Sequence, residues 1–338
     1  MAMYTKYLHS LIALLMFTAA TAYGQTKVIK RQQHNSSAKS TSKNDRSQAI
    51  VKNWWWERGS FNEGLAYVIR KSDDKYGFID KNGKVIIPCK WRTAFSFSEG
   101  LAPVEDDRGK WGYIDKTGKI VIPFQWEWAN SFSEGLACVK GENGKYGYID
   151  KTGNLVIPCK WVRETFDHFR DGLVLVHDEK YKYHYLDIKG NVVIKFDKYI
   201  CDAHQFSENM AGLSFKYKEW GFIDKTGEVV IPCKWKEVKS FTEGLAAVQD
   251  KNGKWGYIDK TGSVVIQCKW NWTGTFSEGL AAVEDENGKV GYIGKKDNIV
   301  IPCRWKARYG ATFKNGIAEI YIDTNKWLFI DKEGKIVK

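Results

Sequence analysis

The sequence predicts an all-β fold, built as a tandem array of eight repeats of about 36 residues, each a meander of three short strands. The first observation behind this prediction is recurrence, because near copies of the stretch Phe241–Trp270 follow one another along the chain. The second is that turn signals such as Asn-Gly separate short apolar segments inside each copy. The slot after the Phe-Ser-Glu motif marks the eight copies, at Gly64, Gly100, Gly135, Gly172, Asn209, Gly244, Gly279 and Gly316.

The N-terminus precedes the repeats and has the features of a targeting segment. Lys6 supplies a positive charge, Leu8–Ala20 is apolar, and residues 22–24 resemble a cleavage site before Gln25. We therefore predict a signal peptide over residues 1–24 and export to a periplasm or the cell exterior, with no transmembrane helix after cleavage. The apolar run is short for a membrane span, and an uncleaved anchor is the alternative.

A polar linker and the repeat domain follow. Residues 25–48 are rich in Ser, Lys, Gln and Asn, which predicts disorder. Residues 49–338 form the repeat domain, and repeats 1 to 8 begin near residues 61, 97, 132, 169, 206, 241, 276 and 313. Three strands in about 36 residues favour an open, twisted, solenoid-like stack. The alternative is a closed eight-bladed β-propeller, in which an N-terminal strand at Ala49–Trp55 completes the last blade.

Three strands are predicted in each repeat. In the first, such as Leu245–Val248, Ala and Val share a face through the two-residue period of a strand. The Gly inside the second, such as Trp255–Asp259, indicates a bulge or the close approach of another group, for which an aromatic ring is one candidate. In the third, such as Val229–Trp235, we place Ile, Cys and Trp on one face, and the Pro predicts a sheet edge or a bulge.

Replacements of the turn glycines indicate backbone conformation. Asn209 replaces the Gly of Phe-Ser-Glu-Gly, and Asp297 replaces the Gly of Asp-Lys-Thr-Gly. Asn and Asp tolerate positive φ best after Gly, so both slots are predicted to be left-handed. The Glu and Asp of these motifs recur in most copies, and we assign them to turn and capping hydrogen bonds.

Five of the seven cysteines share one repeat position, which Phe124 occupies in repeat 2. A slot that accepts Cys or Phe requires a buried apolar group, so we predict thiols without disulfides at Cys89, Cys159, Cys233, Cys268 and Cys303. The sequence contains no Cys-x-x-Cys and no His/Cys cluster with zinc-finger spacing. We therefore predict no metal and no cofactor.

Charge and aromatic content suggest partners. The formal net charge of +12 favours acidic partners such as an anionic glycan. Most of the aromatic residues fall at fixed repeat positions, but Trp56, Trp128 and Trp272 lie outside the strict pattern. We name them as candidate residues for stacking on a sugar or a partner surface, with packing between repeats as the alternative. No nucleic-acid partner is expected for an exported chain.

The motifs resemble a known family. The sequences G-K-W-G-Y-I-D-K-T-G and F-S-E-G-L-A are similar to the bacterial WG repeat, also called the KWG repeat, over residues 49–338. The resemblance implies a β-rich fold that is common in exported bacterial proteins and has no established catalytic residues.

No catalytic motif is present, since G-x-S-x-G, a P-loop and H-E-x-x-H are all missing from the sequence. We therefore predict no catalytic residues and interpret the protein as an exported, non-catalytic scaffold that binds a protein or glycan partner at the cell envelope. The alternative is a hydrolase or lyase with its site in the irregular fourth repeat. That region contains His168, His177, His184 and His204 together with several Asp residues, and we name the histidines as candidate site residues.

Overall fold

The described chain folds into antiparallel sheets joined by turns. The computed structural model describes residues 55–162, 168–196, 200–215, 219–306, 309–310, 312–323 and 326–337, and strands in these ranges form eight sheets. Within them, no helix combines the length and apolar character needed to cross a membrane. The predicted all-β repeat fold is confirmed. The signal peptide, the linker and residues 49–54 lie outside the described residues, so the choice between an open stack and a closed ring stays a prediction.

Strands that follow one another in the chain are neighbours in each sheet. Sheets 1 to 4 contain β1 (Trp55–Arg58), β2 (Ala66–Arg70), β3 (Tyr76–Ile79) and β4 (Val85–Trp91); β5 (Thr93–Ala94), β6 (Leu101–Glu105), β7 (Trp111–Asp115) and β8 (Ile120–Trp126); β9 (Trp128–Ala129), β10 (Ala137–Lys140), β11 (Tyr146–Ile149) and β12 (Leu155–Trp161); and β13 (Leu173–His177), β14 (Tyr183–Asp187) and β15 (Val192–Lys195).

The second half of the chain repeats this arrangement. Sheets 5 to 8 contain β16 (Ile200–Ala203), β17 (Ala211–Phe215), β18 (Trp220–Ile223) and β19 (Val229–Trp235); β20 (Glu237–Val238), β21 (Ala246–Gln249), β22 (Trp255–Ile258) and β23 (Val264–Trp270); β24 (Trp272–Thr273), β25 (Leu280–Glu284), β26 (Lys289–Gly294) and β27 (Ile299–Lys306); and β28 (Tyr309–Gly310), β29 (Ala318–Asp323) and β30 (Lys326–Ile330).

Six of these eight sheets have four strands, one more than the sequence predicted. The added strand is usually two residues long, and in sheet 2 it is β5, which pairs with β6. Arg92 alone separates β5 from β4, so the chain passes from the edge of one sheet to the opposite edge of the next without a turn. Because no turn residue marks this passage, the sequence pattern merges two strands into one.

The strand glycine faces a bulge in the third strand. In sheet 1 the register between β3 and β4 shifts at Gly77, opposite the segment that contains Pro88. A Cβ on Gly77 would lie 2.6 Å from the carbonyl oxygen of Ile87 and 2.7 Å from Sγ of Cys89. The bulge predicted from the Pro is therefore confirmed. The group that approaches the glycine is the partner strand with its thiol, rather than the neighbouring aromatic ring.

The cysteine faces away from the Ile and Trp of its strand. Ile87 and Trp91 pack between sheets 1 and 2, whereas Cys89 packs against Val68 on the other face of sheet 1. The prediction of one shared face is wrong because the bulge reverses the alternation of side chains. The five cysteines of this slot lie within the described residues and are free thiols. Burial raises the pKa of Cys89 to about 11.

An aromatic pair crosses each described junction between consecutive sheets. The aromatic residue after the strand glycine contacts the Phe that begins the next repeat, with ring centroids 4.8 to 5.1 Å apart. Such offset or edge-to-face pairs add to the free energy gained from burial. The pairs are Phe78–Phe97, Tyr113–Phe132, Tyr148–Phe169, Tyr185–Phe206, Phe222–Phe241, Tyr257–Phe276 and Tyr292–Phe313.

A carboxylate joins each repeat to the next, and we call this contact the glutamate clasp. Glu99, for example, accepts a hydrogen bond from the amide of Gly135 at 3.2 Å and forms an ion pair with Lys151 at 2.9 Å. The clasp carboxylates are Glu63, Glu99, Glu134, Asp171, Glu208, Glu243 and Glu278, and their amide donors are Gly100, Gly135, Gly172, Asn209, Gly244, Gly279 and Gly316. The repeated Glu is therefore structural, but it bonds to the following repeat rather than to its own turn.

The clasp residues adopt a left-handed backbone. Glu99 and Gly100 have φ of 53° and 89°, as in the two-residue hairpin turns with positive φ at both positions. Left-handed φ is confirmed for Asn209 at 67° and Asp297 at 62°. Glu is not a residue that favours this region, where a side chain costs roughly 1–2 kcal/mol. Its presence in most copies therefore indicates that the clasp offsets the conformational cost.

The clasp predicts the effect of replacing Glu243 with Asn. Asn suits positive φ, but it replaces the carboxylate, which contacts the Gly279 amide and Lys295 at 3.1 Å each, with a shorter and uncharged amide. We expect Glu243→Asn to lower the free energy of unfolding by about 1 kcal/mol in urea denaturation. Glu286→Asn, in an exposed turn, is the control and should stay within about 0.5 kcal/mol of the native chain. A rise in stability for Glu243→Asn would contradict the clasp.

Two glycines should differ sharply in their tolerance of Ala. A Cβ on Gly256 would lie 2.4 Å from the carbonyl oxygen of Ile266, whereas a Cβ on Gly279 would meet open space at φ of 84°. We expect Gly256→Ala to lower the free energy of unfolding by about 3 kcal/mol, since the strand pair must move apart. Gly279→Ala should cost about 1 kcal/mol, from left-handed strain alone. Equal urea midpoints for the two variants would refute this reasoning.

Candidate functional site

The loop that begins each repeat carries residues that differ from copy to copy. One of these residues lies two positions before the Phe that begins the repeat. Its side chain covers the aromatic ring of the residue that precedes the strand glycine. Phe95 stacks on Trp111 with ring centroids 5.1 Å apart, and His204 lies 4.3 Å from Trp220. The aromatic frame is therefore constant while the residue on top of it changes, which makes these loops a natural place for specificity.

Four of these loops line one depression, which we call the polar cleft. It has a volume of about 730 Å³ and is formed by the starts of repeats 4 to 7. Its lining contains side chains that donate and accept hydrogen bonds and charges of both signs: His168, Arg170, Asp202, His204, Gln205, Ser207, Glu237, Lys239, Ser240, Thr242 and Thr275. A concave site with convergent polar groups is the usual starting point for a binding-site hypothesis.

Two polar side chains of the cleft lack hydrogen-bond partners within the described residues. Both amide atoms of Gln205 are buried and unbonded, and so is the hydroxyl of Thr242. In the aligned position of repeat 5, Ser207 donates to the carbonyl of Phe241 at 2.7 Å, which joins neighbouring repeats. Buried polar groups without partners cost about 1–3 kcal/mol each. These groups therefore mark where a ligand could supply the missing hydrogen bonds.

Lys239 has an unusual environment in the cleft. Its ammonium lies 5.0 Å from the ring centroid of Trp255 and 4.4 Å from that of Trp272, and it donates a hydrogen bond to the carbonyl of Thr273. Burial lowers the pKa of Lys239 to about 8, although the negative charge of Glu237 opposes the shift. A lysine that is partly neutral near physiological pH is common at functional sites.

The structure divides the four candidate histidines among three places. His168 and His204 line the polar cleft, where Nε2 of His168 lies 3.3 Å from the amide nitrogen of Asn130. His184 is buried elsewhere, with Nε2 3.1 Å from Asp178. His177 packs edge-on against Tyr183, with ring centroids 4.2 Å apart. Among the described residues, no group of three or more His, Cys, Asp or Glu side chains is arranged to hold a metal ion.

The candidate tryptophans occupy different positions. Trp128 and Trp272 begin β9 and β24, and both rings are half-buried. Trp128 packs against two neighbouring cores and Tyr146, and Trp272 lies under Lys239. Trp56 is not equivalent to them, because the register of β1 places Glu57, one residue later, opposite Ile69. The side chain of Trp56 lies outside the described residues, so its binding role stays a prediction.

Sequence reasoning missed Gln205, Lys239 and Thr242. Departures from the repeat are most evident in the fourth copy, whereas the cleft uses the variable loop positions of four consecutive repeats. A comparison of the two residues before each repeat Phe would have found the first two. Thr242 could not have been found in this way, because Ser and Thr look equivalent at that position.

Comparison with known proteins places the repeats in a family. The model for the WG containing repeat matches residues 76–111, 111–146, 146–177, 220–255 and 255–289, which together make up half of the chain. The chain belongs to the WG containing repeat family. The resemblance seen in the motifs is thereby confirmed. No curated protein sequence matches this chain.

Several solved structures resemble the WG-repeat chain. The computationally designed Ika8 protein matches 82% of this chain and 93% of its own, at 13% identity and a TM-score of 0.48. BamB from Moraxella catarrhalis matches 83% of this chain and 94% of its own, at 14% identity and a TM-score of 0.43. PorZ, a bacterial surface component of the type-IX secretion system of Porphyromonas gingivalis, matches 73% of this chain and 38% of its own, at 10% identity and a TM-score of 0.36.

The environment of Lys239 predicts its titration. Because burial lowers its pKa to about 8, the folded protein releases this proton more readily than the unfolded chain, where lysine titrates near ~10.4. Stability from this group therefore rises with pH between the two values and is at its lowest below pH 8. We expect the rate of Lys239 acetylation, followed by mass spectrometry, to show a midpoint near pH 8 in the folded protein. A midpoint equal to that in urea would contradict the burial.

Proposed function

We propose that this WG-repeat protein is a non-catalytic scaffold whose polar cleft binds an extended segment of a partner protein. The observation that carries the proposal is the unpaired amide of Gln205. An amide side chain offers one acceptor and two donors, so it complements the C=O and N–H of a peptide unit. A peptide lying along the cleft would satisfy both atoms of Gln205 at once.

The rest of the cleft suits a peptide of mixed character. Asp202 and Glu237 supply negative charge, while Arg170 and Lys239 supply positive charge. Hydroxyl groups lie between these charges, and few apolar side chains face the cleft. Polar rims of this kind contribute more to specificity than to affinity, so we expect moderate binding strength. The alternative occupant is a neutral glycan, which would also use hydroxyl and amide groups.

The arrangement of the histidines supports a binding role over a hydrolase or lyase. A general base needs a partner that orients it within hydrogen-bond reach. In the cleft, His204 stacks on Trp220 and His168 contacts the amide of Asn130. The Asp178–His184 pair lies outside the cleft, so the four histidines do not gather at one place.

We further propose that the protein is exported to the cell envelope. The support is the N-terminal segment with Lys6, the apolar run Leu8–Ala20 and the small residues before Gln25. The cysteines fit an oxidising compartment, because the thiolate is the reactive form and burial raises the pKa of Cys89 and Cys268 to about 11. Buried thiols of this kind resist oxidation and exchange.

Replacement of Gln205 tests the peptide-binding proposal. Peptides selected from a random display library against the purified chain should bind the native protein and slow acetylation of Lys239. Gln205→Met removes both amide atoms at similar volume, and we expect it to weaken these peptides about tenfold, or about 1.4 kcal/mol. The same change should leave the urea midpoint unchanged or raise it, because the unpaired buried amide is gone.

The control is Gln125→Met, the same substitution at an exposed position of β8. It should bind the selected peptides as the native chain does. Peptides that bind both variants equally, or a glycan array that yields ligands when the display library yields none, would reject the peptide proposal.

A further inference from the structure

A second depression lies at the junction of repeats 3 and 4, and we call it the lysine pocket. It has a volume of about 530 Å³. Its lining comes from the end of β12, the turn between β13 and β14, β14 itself and β15: Lys160, Trp161, Asp178, Glu179, Lys180, Lys182, His184 and Lys195. The lysine pocket shares no residue with the polar cleft, and the two could bind different ligands.

The pocket has an excess of unpaired positive charge. Within the described residues, no ion pair joins Lys160, Lys180, Lys182 or Lys195 to a carboxylate. The two carboxylates of the pocket are both engaged, since Asp178 contacts His184 and Glu179 pairs with Lys145. Four ammonium groups around one open depression repel one another unless an anion lies between them.

The lysines equivalent to Lys182 in repeats 1 to 3 each pair with an acid of the next repeat. Lys75 pairs with Asp107, Lys110 with Glu142, and Lys145 with Glu179, each acid standing ten residues after its repeat Phe. Lys182 is the next lysine in this series. The aligned residue of repeat 5 is Lys216, which lies outside the described residues, so the sequence places a cation where the acid would be. The sequence therefore offers Lys182 no acid at this position of the next repeat.

The strands of the pocket also depart from the repeat. His184 replaces the strand glycine and Lys195 replaces the proline, and their Cα atoms are opposite each other in the pairing of β14 with β15. His184 is buried, with Nε2 held by Asp178 and Nδ1 without a hydrogen-bond partner within the described residues. Both departures add a polar or basic group at the same place. Two such substitutions together favour an anion-binding role for this region over chance divergence of the repeat.

Tyr181 adds an exposed aromatic ring to the turn between Lys180 and Lys182, outside the lining of the pocket itself. It occupies a turn slot that holds Gly109 in repeat 2, with φ of 57°, and it is 63% exposed. A bulky residue in the left-handed region costs roughly 1–2 kcal/mol, which a glycine would avoid. Strain that the fold does not need points to function. An exposed Tyr ring in a turn that also carries two lysines can stack on the apolar face of a sugar.

We propose that the lysine pocket binds an anionic glycan, with its sulfate or carboxylate groups among the four lysines and a sugar ring on Tyr181. Anionic lipid or nucleic acid would share the charge, but the strained, exposed tyrosine in the same turn favours a sugar. The site is assembled from two repeats, so its ligand also bridges their junction.

Binding of a heparin-derived hexasaccharide to the purified chain tests this site, with the desulfated, N-acetylated and carboxyl-reduced hexasaccharide as the uncharged match. We expect Lys182→Gln combined with Lys195→Gln to weaken binding about tenfold. The matched control is Lys90→Gln combined with Lys234→Gln, which removes the same charge from lysines that cover their own tryptophans at 4.6 and 5.1 Å. The control should stay within about twofold.

Tyr181→Gly separates the sugar from the charge. The variant should have a higher urea midpoint, because the left-handed strain is relieved. It should still bind the hexasaccharide more weakly, because the aromatic ring is lost. Inorganic sulfate should compete with the hexasaccharide as well as it does in the native chain. If both double-lysine variants weakened hexasaccharide binding equally, the sugar would be attracted by net charge alone, and the proposed site would be wrong. Equal binding of the uncharged sugar, or a Lys182/Lys195 dependence seen only with phosphatidylglycerol vesicles or single-stranded DNA, would overturn it as well.

Discussion

The fold depends on a carboxylate that reaches from one repeat to the backbone of the next. At each described junction, a left-handed Glu or Asp accepts the amide of the following turn, and in five of them a Lys of that repeat completes the contact. A single contact of this kind contributes little, because it is largely exposed. It fixes the spacing of the turns, however, and so brings the aromatic pairs and the Ser hydroxyls of neighbouring repeats into register.

A frame that is fixed at these positions leaves others free to vary. The residues that cover the strand aromatics, the ends of the short strands and the turn between the first two long strands take no part in the clasp. The polar cleft and the lysine pocket are both built from such positions. Repeat proteins commonly bind partners in this way, with a constant core and a variable surface. Two separate sites on one frame would allow a peptide and an acidic glycan to be held by the same chain.

Much of the frame was predictable because local chemistry decides it. Asn209 and Asp297 correctly predicted left-handed turns, and the Pro of the third strand correctly predicted the bulge. The short first strand was not predicted because it continues the previous strand with one residue between them. The predicted face of the cysteine was wrong because a bulge reverses the alternation of side chains. The site was less predictable. The histidines of the fourth repeat are close in sequence but lie in three places. Gln205 stands out only because no described neighbour forms a hydrogen bond with its side-chain amide, which a sequence does not reveal.

Amide hydrogen exchange at the turn glycines tests the clasp most directly. Gly100, Gly135, Gly244 and Gly279 lie in turns at the surface, where an amide without a partner exchanges close to its intrinsic rate. If the carboxylate of the preceding repeat holds each of them, their protection should approach that of the adjoining strands and fall when the carboxylates are protonated at low pH. Exchange at the rate of an unprotected turn, unchanged by pH after correction for intrinsic rates, would show that the repeats are held together by some other contact.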